Sequence, residues 1–496
     1  QCGAELSLHL KEVDLGEIDD WLEDECDPGP FADMQPESRT KARLAAQFAF
    51  SILLQSDRAF LALSEEHIQQ FLEQPAIQLP PPNLVAHYCE TKPTTPVSRQ
   101  QTAVRELTVS NALKQPLSTV SLPTGMGKTL LGAQWILAQK QQSQKGKVII
   151  VLPFLSVIDQ TAKEYTSLLA GKEHLIQQAH SLAEVDYLGR DKEDDWSDAQ
   201  ENVDDKKREI ENQAREFLAE IWEAPMVITT FDQFLYALFS QKRRHILKSH
   251  HLADACIVMD EIQAVPPKLW EPLSQALSSL ARDFNTKCLV MSATQPGFLS
   301  SAVESVDAPE NHFACRDRYE LELLHREPMK LESFCLTIEE KLATDWRDKG
   351  VMIVLNTRKS ARCVRDFIAD LGDERPLHFI SADVVPHERL ASIAEIKRNE
   401  PCIVVATQCV EAGVDIDLEI VVRDWAPLDS IIQVAGRCNR RGLCERGTAQ
   451  IVKLLSDSGR PYAGMVYDND LLTITGEVFC GLDTVAEETV YPLISN

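Results

Sequence analysis

No two of the 13 cysteines in this 496-residue chain stand at CxxC spacing. Paired zinc ligands and a dithiol redox motif are therefore not encoded. Scattered thiols in a long α/β-type sequence point to a reducing, cytoplasmic setting rather than a disulfide framework. Cys409, Cys438 and Cys444 fall beside motifs discussed below, but read as small packing residues. There is no His-Asp doublet, and the 12 histidines show no metal-ligand cluster. No apolar run approaches the ~20 residues of a membrane span, and no secretory leader is evident, so no membrane partner is expected. The chain opens on Gln1 rather than Met, which suggests a processed or trimmed segment.

Positive charge is also scarce: 50 Lys and Arg face 76 Asp and Glu, a formal net charge of −26. A protein that grips nucleic acid usually carries a basic footprint. Much of the excess is local, however. Residues 1–40 hold 12 acidic against two basic side chains, and residues 184–211 hold 12 against five. Setting both blocks aside leaves −9 for the remainder. Such blocks read as solvated surface. The composition, 44% hydrophobic and 25% charged, is that of a globular protein long enough for two or three domains.

Residues 41–74 place Leu44, Phe48, Ile52 and Leu53 at helical spacing. Pro75, Pro80 to Pro82, Pro93 and Pro96 then mark a linker. Beyond it, short β-branched runs alternate with amphipathic stretches, the pattern of parallel α/β units. Five strands are predicted at 118–122, 148–152, 226–229, 256–259 and 288–291. After a charged, irregular stretch from Arg316 to Glu332, five more follow at 351–355, 378–380, 403–406, 420–422 and 450–453. Two such sheets imply two similar lobes with a ligand cleft between them.

LPTGMGKTL, residues 122–130, follows an apolar strand and opens a helix, as a phosphate loop must. Gly125 and Gly127 let the backbone curl so that its N–H groups, with those of Pro123-flanked Thr124 and Met126, can face the β- and γ-phosphates. Lys128 supplies a cation and Thr129 a hydroxyl for Mg²⁺. Leu122 stands where the general pattern has its first glycine. In CIVMDEIQAV, Asp260 at a strand end is placed to hold Mg²⁺, and Glu261 to orient or deprotonate a water. MSATQPG offers Ser292 and Thr294, small hydroxyls able to link that site to a lobe interface. Upstream, the carboxamide of Gln101 can pair with both adenine N6 and N7, which favours ATP.

VVATQCVEAGVDID contributes Thr407, Glu411, Gly413 and Asp415 from the second lobe. Gly413 permits close backbone approach, and Asp415 can contact the sugar or the arginines. In QVAGRCNRRG, Arg437 and Arg440 follow Gln433 and Gly436. A spacing of three predicts that both arginines share one helix face. Aimed into the cleft they would neutralise γ-phosphate charge, an effect worth ~10³-fold or more in rate.

Phosphate loop, DEIQ, SAT and QxxGRxxR in this order resemble the superfamily 2 helicases of the DEAD/DExH-box kind. VLPFLSVIDQ, ITTFDQFL, VMDEIQAVPP, FISADVVPHERL, ATQCVEAGVDID and WAPLDSIIQVAGRCNRRG further resemble the helicase portion of the CRISPR-associated helicase–nucleases of type I systems, over residues 97–455. The resemblance implies two tandem RecA-like parallel-sheet lobes of an α/β fold, at 91–325 and 326–455. An N-terminal helical segment, 1–90, precedes them, and the start of a C-terminal extension, 456–496, follows. It also implies an ATP-driven translocase on single-stranded DNA, recruited by a crRNA-guided surveillance complex. Lys128, Thr129, Asp260, Glu261, Arg437 and Arg440 would serve ATP turnover, and Thr230 and Thr407 would hold DNA phosphates. Gln263 replaces the histidine of many relatives and should still bridge the lobes. RTKARLAAQFAFSILLQSDR, with Asp57, resembles only the tail of the family's HD nuclease domain. No DNA cleavage is expected from these residues, and the nuclease would come from a separate domain or subunit. The family's C-terminal lid is missing or only begun. Two other readings stay open: a general DNA or RNA helicase of the superfamily, and a nucleotide-gated scaffold without turnover.

Overall fold

The computed structural model describes residues 34–63, 79–91, 96–153, 155–169, 172–179, 217–218, 220–294, 296–314, 317–398, 400–411, 414, 416–442, 444–490 and 493. The acidic block at 184–211, the helix prediction beyond residue 63, and Gly413 and Asp415 lie outside them.

Apolar runs such as VIIVL can be buried on both faces only if helices cover a sheet above and below. Two parallel-dominated sheets of that kind form. The first is built from β1 (Leu117–Ser121), β2 (Val148–Leu152), β3 (Ile176–Ala179), β4 (Met226–Thr230), β5 (Cys256–Asp260), β6 (Lys287–Ser292) and β7 (Val303–Glu304). Its order is β3-β4-β2-β5-β6-β1-β7. Alternate side chains of one strand enter different cores: Val148, Ile150 and Leu152 pack with Trp135 and Ile136, while Ile149 and Val151 pack with Phe234 and Leu273. The adjacency of β5, β6 and β1 matters most, because it gathers three chemically loaded strand ends along one edge.

The second sheet contains β8 (Tyr319–Leu323), β10 (Val351–Val354), β11 (Leu377–Ile380), β12 (Ile403–Ala406), β13 (Ile420–Asp424), β14 (Gly447–Val452) and β16 (Thr484–Ala486). Its order is β11-β12-β10-β13-β14-β8-β16, and only β16 runs antiparallel to its neighbour. Two short strands, β9 (Met329–Lys330) and β15 (Leu454–Leu455), pair beside it. These are the two RecA-like lobes that the sequence predicts.

One stretch departs from expectation. The charged residues around 316–332 predict irregular chain, yet Tyr-Glu-Leu-Glu-Leu forms β8, alternately buried and half-buried, beside β14. The two glutamates are simply the outer face of a strand, and Glu322 accepts from Gln450 Nε2 at 2.6 Å. The second sheet therefore begins at Tyr319, ahead of the boundary at 326. It also takes its last strand from residues read as an extension.

The N-terminal helix Pro36–Ala62 starts on a proline, whose missing N–H costs nothing there. It docks on the first lobe: Leu44 and Phe48 enter the core, and Arg43 and Gln47 donate to the carbonyls of Leu238 and Ala237. No helix among the described residues is long and apolar enough to cross a membrane.

Candidate nucleotide site

The loop after β1 takes its shape from two left-handed residues, Gly125 (φ 80°) and Gly127 (φ 77°), where a side chain would be strained. Gly127 opens the helix Lys128–Gln142, so the first free N–H groups of that helix face the loop. Lys128 is 7% exposed. Its Nζ donates to Leu122 O at 3.3 Å and lies 3.6 Å from Glu261 Oε1. Pro123 and Met126 are buried beneath the turn; Thr124 and Thr129 are half-buried. Gln101 Nε2 donates to Gly125 O at 2.7 Å. The carboxamide expected to read adenine thus braces the phosphate loop itself, while neighbouring Gln100 is exposed.

Asp260 closes β5, one strand away from β1. Burial, then the adjacent Glu261 charge, push its carboxyl up to about 7 against the pull of Lys128. A desolvated carboxylate of this kind is relieved by a cation. Asp260 and the Thr129 hydroxyl are the groups that could hold an Mg²⁺ ion, whose remaining ligands would be water and phosphate oxygens. Among the described residues no group of three or more His, Cys, Asp or Glu could hold a metal.

Glu261 adopts φ 58°, ψ 52°, left-handed for a residue with a side chain. Its N–H is held by Met291 O at 2.9 Å and Asp260 Oδ1 at 3.0 Å. Its Oε2 accepts from Gln263 Nε2 at 2.8 Å; Gln263 Oε1 accepts from Ser292 Oγ at 2.6 Å; Ser292 Oγ accepts from Thr294 N at 2.8 Å. Gln263 is the middle member of this chain of hydrogen bonds. Both of its partners belong to the first lobe, so the expected bridge to the second lobe is not among these contacts. Thr294 joins through its backbone N–H and not its hydroxyl.

The second lobe reaches this site through the helix Leu428–Ala435, which carries the buried Gln433. A Cβ built on Gly436 would lie 2.7 Å from Thr124 Oγ1, so the end of this helix sits against the phosphate loop. Arg437 and Arg440 do not share a helix face. The helix stops at Ala435, and Asn439 turns the chain at φ 45°. Arg437 donates from Nε to Val410 O at 3.2 Å and from Nη2 to Glu411 O at 2.7 Å. Arg440 is held by its own backbone N–H on Asp417 Oδ1 at 2.6 Å, with Nη1 3.5 Å from Val414 O.

The threonines assigned to DNA are engaged within the protein. Thr230 Oγ1 accepts from Gln233 N at 3.2 Å and caps the helix Phe231–Phe239. Thr407 is buried, with Oγ1 3.4 Å from Cys409 Sγ. What motif reading misses is a buried network under the second-lobe site. Arg423, fully buried, donates to Asn356 Oδ1, Glu411 Oε1, Ser430 Oγ and Tyr467 Oη. Asn356 in turn donates to Asp424, whose burial raises its carboxyl to about 7. The available signal was a charged pair, Arg423 and Asp424, closing the apolar run of β13.

Two family models cover these lobes: DEAD/DEAH box helicase matches residues 98–301, and the C-terminal part of the CRISPR-associated nuclease/helicase Cas3 matches residues 347–443. Together they support a superfamily 2 helicase of the Cas3 type. Among curated relatives, a CRISPR-associated nuclease/helicase Cas3 of Haloferax volcanii is 25% identical, covering 70% of this chain and 47% of the relative. A putative counterpart in Methanocaldococcus jannaschii is 23% identical, covering 71% of this chain and 48% of its own length. The chain thus spans about half the length of these relatives. The crystal structure of T. fusca Cas3 superposes with a TM-score of 0.62 at 19% identity, covering 84% of this chain and 53% of that one.

Proposed function

We propose that this Cas3-type chain hydrolyses ATP and uses the cycle to move along single-stranded DNA in CRISPR interference. The observation that carries the reading is the meeting of Gly436 with Thr124, beside the Lys128–Glu261 pair. It brings the second-lobe arginine loop next to the phosphate loop. T. fusca Cas3 structures with ATP and with AMPPNP share the fold, with TM-scores of 0.59, and support nucleotide as the ligand. The relatives' names support the CRISPR setting.

In this mechanism the phosphate loop and Lys128 hold the β- and γ-phosphates. Bound Mg²⁺, held by Asp260 and Thr129, would neutralise phosphate charge. Glu261, oriented by Gln263, takes the proton of the attacking water. Arg437 and Arg440 move from their backbone carbonyls onto the charge that develops on the γ-phosphate. Closing and release of the lobes then shift the grip on the strand. Hydroxyls and backbone N–H groups can supply much of that grip, so a net acidic protein is not disqualified. A crRNA-guided surveillance complex would deliver the DNA, and an HD nuclease domain or subunit would cut it.

The fold itself does not choose between nucleic acids. S. cerevisiae Dbp5, in a structure bound to RNA, matches with a TM-score of 0.50 over 85% of this chain. ATP hydrolysis should therefore be measured with single-stranded DNA and with RNA of equal length. Greater stimulation by DNA is expected; greater stimulation by RNA would overturn the DNA assignment.

A further inference from the structure

We propose that Tyr467 and Glu487, from the segment after β14, are positioning residues that set Arg437 and Arg440 for catalysis. The inference rests on the ATP-hydrolysing reading above. It comes from two buried ion pairs that share no residue and converge on the same loop.

The first runs through Glu411. Its carbonyl receives the Arg437 guanidinium at 2.7 Å, so the placement of residue 411 sets the placement of that arginine. The Glu411 carboxylate is in turn held by Arg423 Nη2 at 2.8 Å and by Tyr467, whose Oη lies 3.3 Å from Oε1. Tyr467 Oη also accepts from Arg423 Nη2 at 2.7 Å. The phenol thus donates to the acid and accepts from the base, which closes a three-membered ring of charge-assisted contacts. Arg423 has no exposed surface, and a buried charge holds its geometry only while its partners remain satisfied.

The second pair runs through Arg318, at the foot of β8. Its Nε and backbone N–H donate to Glu487 at 2.9 and 2.8 Å, and a terminal nitrogen closes the fork. Its other terminal nitrogen donates to Arg440 O at 3.3 Å, and its carbonyl accepts from Asn439 Nδ2 at 3.0 Å. On the opposite side, Asp417 takes the N–H groups of Arg440 and Arg441. The turn that presents Arg440 is clamped between these supports. Glu487 is 4% exposed, and its segment joins the second sheet through β16. The chain after β14 therefore braces both arginines, one through each pair.

The test is ATP hydrolysis by Tyr467→Phe and Glu487→Gln in the full 496-residue chain, each alone and combined with Arg437→Ala and Arg440→Ala respectively. Tyr467→Phe keeps the ring and removes only the hydroxyl, so folding is retained and can be checked by thermal melting. If the residues act through the arginines, kcat falls on the order of 10-fold while KM for ATP stays within about 3-fold, the pattern of an interaction made only in the transition state. In the arginine-less background each second substitution then adds less than about 2-fold, because its route of action is already gone. A lowered melting temperature with wild-type kcat per folded molecule, or losses that multiply in the double variants, would overturn the inference. An inactive wild-type chain would instead overturn the ATPase reading on which it rests.

Discussion

Gln263 Nε2 donates to Glu261 Oε2 at 2.8 Å, and through its other amide atom Gln263 reaches Ser292. The residue proposed to take the water's proton is therefore aimed by the Gln263 side chain. Glu261 also carries a left-handed backbone, which the β6 carbonyl of Met291 helps to hold. A strained backbone at such a point is kept only where its surroundings fix it.

Gln263→Ala should detach Glu261 from Ser292 without touching the phosphate loop. A hydrogen bond to a charged group is worth about 1.5–3 kcal/mol, so kcat should fall at least about 10-fold. Binding of a fluorescent ATP analogue should change by less than about 3-fold. An equal loss in binding and turnover would show that Gln263 supports the nucleotide rather than the acid.

Gly436→Ala places a methyl group 2.7 Å from Thr124 Oγ1 and 3.3 Å from Ile432 O. Overpacking a close contact costs about 1–3 kcal/mol. The lobes should close less readily, weakening ATP affinity on the order of 10-fold at unchanged melting temperature. Unchanged affinity would mean that the contact yields and does not limit closure.

The N-terminal helix is latched by a histidine that must stay neutral. Ser51 gives its hydrogen to Ile246 O, so His250 Nδ1, 2.8 Å from Ser51 Oγ, carries the proton of that contact. Burial, with Lys147 nearby, pushes the His250 pKa down to about 3. Because this lies below the ordinary value of about 6.5, the unlatched state binds the extra proton. The latch is fully present above pH ~6.5 and is lost as pH falls, at most about 1.4 kcal/mol per unit. Proteolysis within residues 36–62 should accelerate from pH 7.5 to 5.5 with a pH-insensitive protease; equal rates would contradict the latch.

Much of the nucleotide site was legible because its parts are local. Gly125, Gly127 and Lys128 need only a strand before them and a helix after, and Asp260 and Glu261 only a strand end. The arginine loop is not legible as a loop, because a spacing of three says nothing of where a helix stops. Here Cys438 pairs with Leu418 and Asn439 turns the chain, contacts made far along the sequence. The strand Tyr319–Leu323 was hidden because its charges were counted without their alternation. Arg423, Glu411 and Tyr467 form no motif at all. They meet only because β13 and the segment after β14 fold over one another.

The most direct test of the account is ATP hydrolysis by Glu261→Gln beside the wild-type chain. The substitution keeps the acceptor oxygen for Gln263 but cannot take a proton. General-base catalysis contributes about 10²–10⁴-fold, so turnover should fall by at least about 100-fold while ATP still binds. Full hydrolysis by the variant would remove Glu261 from the chemistry and with it the site described above.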